Sequence, residues 1–167
     1  MHKMIILTGL FVVALGVAAC GEAEPDLICG GLSSALPTPE EAVTGLASWT
    51  EAGVSESEPG TWNGGSNGDI TFGTITLIIA KDENGNNIDD LVSGGSFPIC
   101  IPLGERSEQS GNATDTGAFV TDANNGGHVV ILGQEADDLI GRFDFTMGNA
   151  SGEVRALTNG VFRIPPR

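Results

Sequence analysis

The chain has no tyrosine, two tryptophans, two histidines and three cysteines, and it sets only seven basic side chains against 22 acidic ones. With a formal charge of −15 it cannot neutralise a phosphate backbone, so nucleic acid is not a partner, and anionic lipid headgroups repel it for the same reason. The scarcity of Tyr and Trp argues against a membrane-spanning barrel, which carries aromatic girdles, and Arg142 and Asp144 would face lipid on the most regular strand. No apolar run is long enough for a spanning helix, which needs about 20 residues. The longest, Met4 to Ala19, has 16 and is followed by Gly-Glu-Ala-Glu-Pro-Asp rather than by basic residues.

What stands at the N-terminus instead has the layout of a signal peptide: Met1-His2-Lys3, the apolar run, then the small residues Val17-Ala18-Ala19. Val17-Ala18-Ala19-Cys20 resembles the lipobox of bacterial lipoproteins. That resemblance implies cleavage before Cys20, a diacylglycerol on its sulfur, and a membrane anchor made of lipid, since several buried chains hold stably where one holds marginally. Gly21 in the following position fits the family's outer-membrane sorting pattern. The expected organisation is a signal in 1–19, a tether rich in Gly, Ser, Pro and acid in 20–37, and one domain in 38–167. The other reading of the same residues is an ordinary signal cut after Ala19 that leaves Cys20 a free thiol.

With Cys20 assigned to lipid, Cys29 and Cys100 remain as an even pair in an oxidising compartment, and a disulfide between them is expected.

The 167 residues suit a single domain. Thr38-Pro39-Glu40-Glu41 has the form of a capping box with proline at the first helical position, which allows at most one short helix near 38–45. Trp49 to Gly68 shows poor periodicity and is expected to hold strand fragments and a long loop. Ile70 and Phe72 share one parity, and Ile75, Leu77 and Ile79 the other, with a bulge expected at Gly73. Leu139, Phe143, Phe145 and Met147 alternate with Arg142, Asp144 and Thr146, the mark of a half-buried strand. Gly148 to Gly152 turns the chain, and Asn159-Gly160 predicts a second hairpin turn into Val161–Ile164. Phe119–Thr121, a turn at Asn125-Gly126 and His128–Leu132 repeat the pattern. The fold class is therefore all-β, either an antiparallel β-sandwich, which is preferred, or a closed β-barrel of hairpin-linked strands. The stretch from Ile140 to Pro165, IGRFDFTMGNASGEVRALTNGVFRIP, resembles the C-terminal hairpins of small all-β bacterial lipoproteins and secreted domains of unassigned role, which carries fold and no catalytic residues.

Few residues converge on chemistry. Asp82, Asn84, Asn86 and Asp90 fall at places one, three, five and nine of a calcium loop, but Asn87 stands where the loop needs glycine and Ser93 where it needs a bidentate glutamate. Calcium is thus a possible cofactor of an alternative, calcium-dependent adhesion module, and a plain hairpin the other reading. Gly64-Gly65-Ser66-Asn67-Gly68 matches the nucleophile elbow G-x-S-x-G, which would need a strand before it, a helix after it and His128 within reach. His128 lacks the companions of a transition-metal site and reads as a strand-start polar residue. Asp137-Asp138 and Asp89-Asp90 read as solvated turns rather than the separated carboxyls of a glycosidase. Trp49 and Trp62 read as core, or as a carbohydrate or apolar ligand site. The expectation is a lipid-anchored envelope protein, non-catalytic, binding or scaffolding an envelope protein, a glycan or a small apolar ligand; an envelope hydrolase is the remaining alternative.

Overall fold

The computed structural model describes residues 27–64, 68–79, 92–95, 97–104, 111–116 and 118–167. Among the described residues twelve strands form: β1 (Leu27–Ile28), β2 (Leu32–Ser33), β3 (Leu46–Glu51), β4 (Val54–Asn63), β5 (Asp69–Phe72), β6 (Ile75–Ile79), β7 (Ile99–Leu103), β8 (Gly111–Asp115), β9 (Phe119–Val120), β10 (Gly127–Glu135), β11 (Asp138–Gly148) and β12 (Val154–Ile164). Of the two architectures open to the sequence, the chain adopts the barrel. Nine strands close in the order β10-β7-β8-β6-β5-β4-β3-β12-β11, with β11 returning to β10, while β9 bridges β8 and β11. All neighbours are antiparallel except β7 and β8. Leu103 of β7 lies beside Gly111 of β8, the last residue of one strand against the first of the other, which is the stagger that barrel closure requires.

One end of the barrel, the mouth, carries the turns at 52–53, 73–74 and 149–152. The other, the base, carries the turn at 136–137 and the loop between Asn63 and Asp69. Strand alternation sends Ile70, Phe72, Leu77, Ile101, Ala113, Ile131, Phe143, Phe145, Leu157 and Phe162 inward, where they form one apolar cluster. Phe143 is its hub, with ring centroids 5.1 Å from Phe72, 5.5 Å from Phe145, 6.3 Å from Trp49 and 6.4 Å from Phe162. These rings fit because glycine stands opposite them: a Cβ on Gly160 would strike Phe143, and one on Gly141 would strike Phe162. Both tryptophans are core residues, each 6% exposed, and the Trp62 indole N–H donates to the Asp137 carbonyl at 3.2 Å, tying β4 to the turn at the base.

Residues 27–45 form a strap along the outer wall. β1 and β2 make a small hairpin around the 3-10 turn Cys29–Gly31, and the Cys29–Cys100 disulfide fastens it to β7. Gly30 lies so close to the His128 ring that a Cβ there would collide with it. Leu36, Pro37, Pro39 and Ala42 continue past Ile140, and the Arg142 side chain donates to the Ala35 carbonyl at 3.3 Å. Alternation breaks on β10, the strand against which the Cys29–Gly31 turn of the strap lies. Val129, Val130, Ile131 and Leu132 are all buried in sequence, the first and third inside the barrel and the others on the outer face.

Several local expectations are corrected. Trp49 to Asn63 holds no long loop but the β3–β4 hairpin: Ala52 and Gly53, with φ of 49° and 80°, make a two-residue turn with positive φ at both places. The period was invisible because Val54–Pro59 is exposed on both faces. Gly73 opens a two-residue turn between Phe72 and Ile75 and is not a bulge; the parity change reflects the turn's even length. Asn159-Gly160 is the reverse case. β12 runs unbroken through it, and the β11 register, Phe143 to Gly160 and then Phe145 to Leu157, carries one extra residue on β12, a bulge with Asn159 at φ 53°. Asn-Gly supplies the same left-handed backbone to either device. β9 pairs with β8 and β11 rather than with β10, so the upstream hairpin repeat does not form. The capping box forms without a helix: the Thr38 N–H donates to Glu41 Oε2 at 2.7 Å and the Glu41 N–H to Thr38 Oγ1 at 3.3 Å, after which Gly45 bonds to Arg163 and joins the barrel.

Candidate functional site

The mouth is where charged side chains from distant parts of the chain meet. Arg155, near the start of β12, grips Glu51 at the end of β3 with both arms of its guanidinium, Nε to Oε1 at 2.6 Å and Nη2 to Oε2 at 2.8 Å. Its remaining arm reaches Asp115 at the end of β8, and its Cζ sits 5.4 Å from the centroid of the Phe119 ring on β9. One side chain thus joins four strands across the rim. Thr74, in the β5–β6 turn, also bonds Asp115.

The electrostatics follow from this contact set. The Glu51 carboxyl is held below the usual carboxylate range chiefly by its hydrogen bonds from Arg155, against a smaller desolvation cost. For Asp115 burial pushes upward, but the Thr74 hydroxyl, the Thr116 N–H and the Arg155 charge together outweigh it, and the net direction is down. The Glu51 bonds raise Arg155 above its ordinary value. Carboxylates kept ionised in this way are poor proton donors and present fixed negative charge at the rim.

A cleft of about 380 Å³ opens beside this network, lined by Trp49, Phe72 and Ile75 at its floor and by Glu51, Glu56, Glu58 and Arg155 at its walls. Its size falls within the usual range of ligand clefts, roughly 300–1,000 Å³, but its walls are acidic rather than apolar. Among the described residues Glu56 and Glu58 have no ion-pair partner. A second cleft, of about 480 Å³, runs under the strap beside Ser33, Glu41, Arg142, Asp144 and Asn159. There Arg142 is already engaged by Glu41 at 3.6 Å and by Ala35.

No family model, curated protein or solved structure matches the chain. The site therefore stands on its own geometry.

The residues singled out in the sequence do not gather at the mouth, Trp49 excepted. Cys20, Ser66 and the set Asp82, Asn84, Asn86 and Asp90 lie outside the described residues, so the calcium loop and its alternative hairpin are not described either. Ser66 belongs to the connection from β4 to β5, which joins two antiparallel strands where a nucleophile elbow would lead from a strand into a helix. Its flanks, Asn63 and Asp69, are at the base, whereas His128 is near the mouth end of β10, opposite Pro102 and Asp144 and under Gly30. Asp137 sits in the β10–β11 turn with φ 74°, and Asp138 pairs with Arg163 at 3.2 Å, so these acids serve a turn and an ion pair. Among the described residues no group of three or more His, Cys, Asp or Glu is placed to hold a metal ion, and no helix is long and apolar enough to cross a membrane.

Sequence reading missed Glu51, Asp115 and Arg155 altogether. Arg155 is 104 residues from Glu51 and 40 from Asp115, and only barrel closure brings them together. The one local hint was a lone cation in the polar stretch that opens β12.

Proposed function

We propose that the protein is a lipid-anchored component of the bacterial cell envelope, attached through Cys20, whose barrel binds a partner at its mouth and performs no reaction. The Cys29–Cys100 bridge is the observation that carries the anchoring part. It occupies two of the three cysteines and leaves Cys20 alone at the end of the apolar run. It also fastens the strap to the barrel nine residues after Cys20, a length of chain that spans at most about 30 Å when fully extended, so the barrel would ride close to the bilayer. An acidic body gains nothing from anionic headgroups within a Debye length and feels little of them beyond it, which is consistent with attachment by lipid rather than by charge.

A binding role is supported by the acidic cleft at the mouth and by carboxylates held in their ionised state. Among the ligand classes open to the sequence, an apolar small molecule is disfavoured because the lumen is filled by the Phe72, Phe143, Phe145 and Phe162 rings, and a glycan is disfavoured because Trp49 and Trp62 are each only 6% exposed. An envelope protein fits best. The anchor is tested by radiolabelled palmitate: wild type takes up label and sediments with membranes, and Cys20→Ala does neither. Equal labelling of the Cys20→Ala protein overturns the assignment.

A further inference from the structure

Closure of the barrel does not satisfy the whole of β4. Its second half, from Gly60, pairs with β5, but Val54–Pro59 projects past the β5–β6 turn and, among the described residues, pairs only with β3. All six of these residues are exposed. The two-residue turn makes Glu51 and Val54 a mutually hydrogen-bonded pair, so Val54, Glu56 and Glu58 direct their backbone groups to β3, and Ser55, Ser57 and Pro59 direct theirs away. Two bonds fix this phase: the Gly60 N–H donates to Gly45 on the β3 side, and the Pro59 carbonyl accepts from Gly73 on the other. Ser55 and Ser57 therefore present free N–H and C=O groups along an open sheet edge, bounded by the turn at 52–53 and by Pro59.

The side chains of the same segment are sorted by face. Glu56 lies opposite Trp49 and Glu58 opposite Ala47, and both glutamates line the mouth cleft. A strand added at this edge would place every second side chain about 5 Å from Glu56 and Glu58. A second copy of this chain would set glutamate against glutamate there and is disfavoured. We propose that the partner at the mouth is an extended protein segment, with Lys or Arg at alternate positions, that adds as a strand to the Ser55–Ser57 edge and lays its basic side chains over Glu56 and Glu58. This rests on the mouth being the binding surface.

The test uses the full chain in non-ionic detergent and three capped hexapeptides: Lys-Val-Lys-Val-Lys-Val, its Glu counterpart, and the Lys peptide with every backbone amide N-methylated, which leaves neither edge able to pair. Binding of the Lys peptide is expected to slow hydrogen exchange at the Ser55 and Ser57 amides about tenfold or more. Affinity should fall at least about tenfold in E56Q/E58Q and in Ser57→Pro, which removes an outward N–H that bonds to no neighbouring strand, and the Glu peptide should not bind. A melting temperature matching wild type certifies that each variant is folded. Equal binding of the plain and N-methylated Lys peptides, with E56Q/E58Q still weakened, overturns strand addition while leaving the mouth as a cationic-ligand cleft. Absence of any resonance shift at Trp49, Glu51 or Glu56 with either Lys peptide overturns both.

Discussion

Replacing Cys29 and Cys100 together by alanine removes a bridge that closes 71 residues of chain, and the cost can be worked from that separation. In the chain-entropy treatment a loop of this size restrains the unfolded ensemble by about 4 kcal/mol. For a domain of this size that corresponds to roughly 10–15 °C in melting temperature. The full amount appears only if the strap stays docked without its covalent tie. Otherwise the native state also gains freedom, and the measured loss shrinks. Contacts that remain to hold the strap include the Arg142 bond to Ala35, the Arg142 ion pair with Glu41, the Gly45 bond to Arg163, the packing of Gly30 on His128 and the run of Leu36, Pro37, Pro39 and Ala42 past Ile140. A loss of about 2–4 kcal/mol is therefore expected, within the usual range for native bridges, from urea unfolding with the m-value fitted separately for each form, because the unbridged denatured chain is more expanded and exposes more surface. Hydrogen exchange at Leu32 and Ser33 reports docking separately. Reduction of the wild-type protein with a dithiol gives the same quantity without substitution. A loss below about 1 kcal/mol by both routes, with exchange at Leu32 and Ser33 still slow, would refute the reasoning, because a docked strap with no entropic restraint contradicts loop closure as the source.

Arg155→Met leaves Glu51 and Asp115, whose side chains are 22% and 14% exposed, without a counter-charge. The expected destabilisation is about 1–3 kcal/mol, between the values for exposed and fully buried pairs, and Glu51→Gln in the same chain should cost less than it does alone. Because the folded-state pKa values of Glu51 and Asp115 lie below their unfolded values, their contribution is fully present above the unfolded carboxylate range and is lost as pH falls through the folded values. The melting temperature should therefore drop as the solution is acidified below about pH 5, and Arg155→Met should flatten that drop. Gly160→Ala places a methyl group in the Phe143 ring and should cost about 1–3 kcal/mol, with Phe143→Leu in the same chain relieving part of it; additivity of the two would contradict the contact.

Legibility in the sequence followed the local physics. Leu139, Phe143, Phe145 and Met147 could be placed inside from period two alone because each is covered by the barrel's own interior. Ile140 could not, since Leu36, Pro37, Pro39 and Ala42 of a strap roughly 100 residues earlier in the chain lie beside it on the outer wall. Turn signals were found and their outcome misjudged: Asn159-Gly160 bends a continuing strand, whereas Ala52-Gly53, with no Asn or Asp to mark it, reverses the chain. The choice between sandwich and barrel rested on the β10–β11, β12–β3 and β7–β8 neighbours, and the last two are matters of which strands lie side by side, not of how each alternates. The disulfide was legible from the cysteine number, since setting Cys20 apart at the end of the apolar run leaves a single pair. The mouth was not, because its carboxylates and Arg155 come from segments that carry no shared motif.

The most direct measurement is the intact mass of the protein recovered from bacterial membranes, with fragmentation of its first residues. Attachment at Cys20 predicts a chain that begins at Cys20, carries a diacylglycerol and usually a further acyl group there, and retains a bonded Cys29–Cys100 pair. A chain that begins at Met1, or one that begins at Cys20 with an unmodified thiol, would contradict it.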